Sequence, residues 1–230
     1  MLAGILVTII GSFFSQTMLS FVGGDAMRIW YLVNSSINLK TSSKVIIIDR
    51  IIGLTSLVIL FILYSPYIFD LADTKNVKAI MKLLLFSCIS AIIIVSIFLV
   101  RIKATFESQL KNKLSTSTAI FLLSLSFLVQ FCNILAVYVS LHCFNILITL
   151  HQCIIVMIPI ILITMLPISV AGWGLREGVM IFGFGLLGIT SGPVLAASII
   201  FGLSLLISGL PGALVYLFKY KINCAEITTA

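Results

Sequence analysis

The sequence predicts an all-α fold, a polytopic transmembrane bundle of about seven membrane segments, on three observations. Hydrophobic residues make up 61% of the 230 residues and charged residues only 9%, against about 25% charged in soluble domains. Mean hydropathy is +1.28. Residues 1–24, 51–69, 83–100, 114–175 and 178–218 contain no Asp, Glu, Lys or Arg, and a helix needs about 20 apolar residues to cross the hydrocarbon core. A single membrane domain over residues 1–230, with no soluble catalytic module, is expected.

Breakers and charges place the segments in order at 1–22, 46–66, 80–100, 117–140, 145–166, 176–190 and 194–218. The first basic residue is Arg28, so segment one lacks the basic start of a secretory signal and reads as a retained helix. Glycine-broken or re-entrant stretches are expected near 21–30 and 167–190. At 21–30 the glycines are Gly23 and Gly24; Pro167, Gly172, Gly174 and Gly178 interrupt the second. Irregular backbone at membrane depth is tolerated only inside protein or beside water.

Loop charge sets the orientation. Arg28, Lys40 and Lys44 follow segment one; Arg101, Lys103, Lys111 and Lys113 follow segment three; Arg176 follows segment five, and Lys219 and Lys221 follow segment seven. These alternate loops are expected on the cytoplasmic side, which leaves the amino terminus outside and the carboxyl terminus inside. The net charge of +7 is thereby assigned to orientation and headgroups, and no nucleic-acid partner is expected.

Polar residues inside the segments form stripes. Ser12, Gln16 and Ser20 are spaced i, i+4, i+8, and Ser126, Gln130 and Asn133 i, i+4, i+7, so each set shares one helix face. Such faces serve interhelical hydrogen bonds, a substrate groove, or both.

Six charges lie at or near membrane depth: Asp25 and Arg28, Asp49 and Arg50, Arg176 and Glu177. An ionisable side chain in a span costs roughly 2.5–3.5 kcal/mol on insertion scales, so it seeks a partner and marks function. Asp25 and Arg28, three apart, can meet on one helix face. Asp49 and Arg50 are adjacent and diverge by about 100°, so each needs a partner from another helix. A six-charge network across helices is the expectation. A plainer reading stands beside it: Asp25 as the N-cap of a short helix over 26–33, Arg28 snorkelling beside Trp30 and Tyr31, and Asp49-Arg50 within a turn of a helix end. Arginines and helix-start amides both suit an anion such as a lipid phosphate.

Other chemistry is faint. The five cysteines, Cys88, Cys132, Cys143, Cys153 and Cys224, are scattered without paired spacing. His142, Cys143, His151 and Cys153 match no closed metal site, so neither metal nor cofactor is expected. No phosphate-binding P-loop, nucleophile elbow or zincin motif is present.

The stretches "SFFSQTMLSFVGGDAMRIWYL", "SSKVIIIDRIIGL", "MLPISVAGWGLREGVMIFGFGLLGI" and "LLISGLPGALVYL", in that order, resemble the lysylphosphatidylglycerol synthase transmembrane-region family, also described as flippase-like. The matching positions are Gly23-Gly24-Asp25 with Arg28, Asp49-Arg50, Pro167 through Gly172-Trp173-Gly174 with Arg176-Glu177, and Gly209 through Pro211-Gly212. The resemblance implies a bacterial or archaeal multi-pass protein of the cell membrane that handles lipid. It also implies about two further spans ahead of Gly23, so the chain is expected to be a product lacking the first spans. The aminoacyl-transfer domain of the best-known fusion has no counterpart in this sequence, and lysyltransferase activity is not expected.

The function expected is binding, and assisted passage between leaflets, of an anionic phospholipid or a polyprenyl-phosphate-linked lipid. The lipid-binding residues would be Asp25, Arg28, Asp49, Arg50, Arg176 and Glu177, shaped by breaks at Gly23, Gly24, Gly172 and Gly174. The alternative is a non-transporting subunit that anchors or regulates an envelope-synthesis enzyme, with the charges as structural ion pairs.

Overall fold

The computed structural model describes residues 2–17, 20–35, 37–71, 77–79, 81–83, 85–86, 89–90, 93, 116–165 and 173–228. Most of the expected segment 80–100, the basic loop 101–113, and Pro167 and Gly172 lie outside them. The defined helices are α1 (Leu2–Thr17), α2 (Ser20–Asn34), α3 (Leu39–Leu71), α4 (Thr116–His142), α5 (Leu150–Thr164), α6 (Leu175–Gly185) and α7 (Ser191–Thr228). In an apolar medium every backbone amide and carbonyl needs a partner, and a helix supplies it locally. Among the described residues, three helices, α3, α4 and α7, are long and apolar enough to cross a membrane. The molecule is a helical membrane bundle.

The first segment departs from expectation. Residues 1–22 are not one helix: α1 ends at Thr17 and α2 starts at Ser20, so Ser12, Gln16 and Ser20 do not share a helix face. Gly23 and Gly24 lie inside α2 and break nothing, and Asp25 is not an N-cap. At 16 and 15 residues, α1 and α2 measure about 24 and 22 Å, short of the roughly 30 Å hydrocarbon core. Each packs along the other, with Val7, Ile10 and Tyr31 buried between them against Val215 and Tyr216 of α7. A Cβ on Gly24 would lie 2.6 Å from the Gly11 carbonyl oxygen. The two form an antiparallel hairpin.

That hairpin is clamped onto α7. A Cβ on Gly212 would strike the carbonyl oxygen of Ile9, and one on Gly209 would sit 3.2 Å from the Phe13 Cα. Small residues permit such close backbone approach in membranes. The pairs Ile9–Gly212 and Phe13–Gly209 advance in opposite senses, so α1 runs antiparallel to α7 and ends opposite about the middle of its apolar stretch, Ser191–Leu217. Gly212→Leu is expected to push α1 off α7 and lower stability by about 1–3 kcal/mol, the usual penalty of over-packing, measurable as a reduced thermal midpoint in detergent.

Elsewhere the segments fall close to the reading. Asn38 starts α3 by accepting a hydrogen bond from the Lys40 amide at 3.1 Å. This early start sets Asp49-Arg50 well inside the helix, not within a turn of its end. Helix α5 starts at Leu150 because Thr149 and Gln152 form a capping box. Helix α6 starts behind Gly174, whose φ of 82° is open to glycine, and has 11 residues, about 16 Å, too short to cross alone. The core is filled by Leu57 and Phe61 of α3, Val137 and Leu141 of α4, Met157 and Ile158 of α5, Met180 and Phe184 of α6, and Val194 of α7. The outward face of α4, including Ile120, Phe121, Leu128 and Phe131, is exposed, as a lipid-facing helix requires.

Candidate functional site

The antiparallel pairing of α2 with α3 brings four of the six expected charges together. Arg50 donates from Nε to Asp25 Oδ2 at 2.8 Å and from Nη2 to Oδ1 at 2.9 Å, a two-pronged pair of the strong, planar kind. Arg28 donates from Nη1 to Asp49 Oδ2 at 3.4 Å and lies 3.9 Å from Asp25 Oδ1. The adjacent residues Asp49 and Arg50 thus turn to different partners, as their angular separation demands, and Asp25 and Arg28 share a face.

The two arginines are not equivalent. Arg50 grips Asp25 with two donors. Arg28 makes only long contacts, the side chain of its counter-ion Asp49 is 68% exposed, and its buried Nε finds no hydrogen-bond partner among the described residues. Its aliphatic stem crosses Gly11, where a Cβ would lie 2.6 Å from Cγ and 2.8 Å from Cδ. Glycine at 11 therefore provides the bed in which Arg28 lies, a role that charge spacing alone does not reveal.

Asp25 and Arg50 should be energetically coupled. In a double-mutant cycle of Asp25→Asn and Arg50→Gln, the paired variant is expected to lose less stability than the sum of the singles, by about 1–3 kcal/mol, read from thermal or denaturant unfolding in micelles.

Arg176 and Glu177 form a second group, on α6 where it packs against α7. Arg176 Nη2 donates to Glu177 Oε1 at 2.8 Å and Nε to the same oxygen at 3.2 Å. Glu177 Oε2 accepts from the Gly174 amide, so its carboxylate closes the first turn of α6. Ser198 of α7 donates to Oε1 at 3.5 Å. The Arg176 guanidinium carbon lies 5.0 Å from the Trp173 ring centroid and 5.7 Å from that of Phe201, with Gly202 beneath it. Both side chains are buried. The expected six-charge network is therefore resolved into a four-charge cluster on α2 and α3 and a self-satisfied pair at the start of α6. Ser198, Phe201 and Gly202 escape sequence reading because they are unremarkable residues in a long apolar run.

A cavity of about 530 Å³ opens beside the four-charge cluster, within the size range of small-molecule sites. Val45, Ile48, Asp49, Arg50, Ile52 and Gly53 form its α3 wall. Ser126, Gln130 and Asn133 face it from α4 with Leu122, Leu125 and Val129, and Ile161 and Met165 close it from α5. The whole α4 stripe read from the sequence thus lines one hollow. Ser126 also bonds across the helices to Ser56 at 2.8 Å, so interhelical bonding and groove lining coexist. Among the described residues, no group of three or more His, Cys, Asp or Glu is placed to hold a metal ion.

The arrangement is amphiphilic: paired charges at one wall, a polar stripe on another, and aliphatic side chains between. No curated protein and no solved structure matches the chain. The family model described as "Lysylphosphatidylglycerol synthase TM region" matches residues 1–212, and the chain belongs to that family.

Proposed function

We propose that this membrane protein binds an anionic phospholipid, or a polyprenyl-phosphate-linked lipid, in the cavity between α3, α4 and α5 and assists its transfer between leaflets. One observation carries the reading: an apolar-walled cavity of about 530 Å³ edged by Asp49 and Arg50, with Arg28 joined to Asp49 by a single long hydrogen bond of 3.4 Å. The lipid phosphate takes Arg28 and displaces Asp49 toward solvent; an exposed carboxylate loses little when its long contact is given up. Arg50 stays on Asp25 and holds the α2–α3 wall. Arg176 and Glu177 fasten α6 to α7 and do not meet the phosphate. The role is non-enzymatic, in a cell membrane, with the α2–α3 connection on the cytoplasmic side.

Binding to the purified full chain in neutral detergent tests this reading. Phosphatidylglycerol is expected to bind at least tenfold more tightly than phosphatidylcholine of the same chains, and equal affinities would remove the anion site. The Arg176–Glu177 pair favours a second reading, a non-transporting subunit held together by structural ion pairs and bound to an envelope-synthesis enzyme. Its signature is co-purification of that enzyme with no lipid flux.

A further inference from the structure

Gln130 is the polar residue of the cavity that the four-charge cluster leaves unexplained. It is 8% exposed, it lines the cavity, and its Oε1 is buried with no hydrogen-bond partner among the described residues. A buried acceptor left unmade carries a penalty of about 1–3 kcal/mol, and such a group calls for an explanation. The hydroxyl one turn earlier on its own helix face, that of Ser126, cannot serve it. Ser56 donates to the Gly53 carbonyl at 2.8 Å, so in the Ser56–Ser126 contact of 2.8 Å the proton comes from Ser126, which has only one to give.

We infer that Gln130 is a specificity-determining residue that accepts a hydrogen bond from a hydroxyl or ammonium group on the headgroup of the bound lipid. The inference rests on the proposed anionic-lipid site and adds a second recognition point on the facing wall: Arg28 reads the phosphate, Gln130 reads a donor beyond it. The amide torsion at the end of a glutamine is soft, so the group turns toward a donor entering the cavity. A site built to satisfy a buried acceptor rejects an isostere that lacks the donor, because the acceptor is then left unpaired. Asn133, half-buried on the same stripe, lies one turn further along the wall.

The probes are phosphatidylglycerol and phosphatidylmethanol with identical acyl chains: both are singly charged phosphodiesters, and only the first carries hydroxyls. Equilibrium binding to the full chain in neutral detergent is expected to favour phosphatidylglycerol by about fivefold, the worth of one hydrogen bond. Gln130→Met should bind the two lipids equally. Its lipid-free thermal midpoint should be unchanged or raised, because an unmet polar group is replaced by an apolar one of similar length. Equal affinities in the wild type, or a preference that survives in Gln130→Met, would overturn the inference while leaving the anion site standing. A lowered lipid-free midpoint in Gln130→Met would also overturn it, by showing that the amide is bonded within the protein. Failure of both lipids to bind would overturn it together with the anionic-lipid site.

Discussion

Arg28→Gln should lower the affinity for anionic lipid by about 10- to 100-fold and leave the fold nearly intact. The loss follows from removing a charged hydrogen-bond donor from a phosphate, worth roughly 1.5–3 kcal/mol. The intact fold follows from what Arg28 leaves behind: Asp49 is 68% exposed and remains hydrated, while Asp25 keeps both of its bonds to Arg50. Binding of phosphatidylglycerol in detergent and the lipid-free thermal midpoint, measured on the same preparation, separate the two effects. A variant that binds as the wild type does would place the phosphate elsewhere, and one that unfolds would show that Arg28 holds the fold.

Arg176→Met should do the reverse, costing about 3–5 kcal/mol of stability. Removing one member of a buried ion pair strands the other charge without compensation. Here the stranded group is Glu177, whose side chain is 12% exposed and keeps only the Gly174 amide and a long contact to Ser198. The double variant Arg176→Met with Glu177→Gln should recover much of the loss, since it removes both charges. Thermal unfolding of the single and double variants gives the comparison; a single variant as stable as the wild type would show that this pair does not fasten α6 to α7.

What the sequence made legible follows from where its physics is local. Apolar stretches of about bilayer length mark α3, α4 and α7 directly, and the period of Ser126, Gln130 and Asn133 identifies a face that does line a cavity. The division of the first segment into α1 and α2 has no local signal in the sequence; packing of α1 on α7, through Gly209 and Gly212, holds the hairpin. Gly23-Gly24 misled in the other direction. Glycine disfavours helix by about 1 kcal/mol in water, but in an apolar surrounding the helical bonds are obligatory, and at Gly24 the missing Cβ admits the backbone of α1. That Asp49 and Arg50 take partners from another helix follows from their adjacency; which partners they take, Arg28 and Asp25, is set by the packing of α2 on α3. The withdrawal of Arg176 and Glu177 into a pair of their own was not foreseeable, since neighbours in sequence meet here only because both long side chains fold over the first turn of α6.

The central claim is tested most directly by leaflet exchange of a fluorescent phosphatidylglycerol in sealed liposomes, read as the fraction of label quenched from outside over time. Vesicles holding the wild-type protein are expected to exchange label faster than protein-free vesicles, and vesicles holding Arg28→Gln at equal density to lose at least nine-tenths of that increment. Exchange at the protein-free rate in wild-type vesicles, or an undiminished rate with Arg28→Gln, would contradict a lipid-transfer role centred on Arg28.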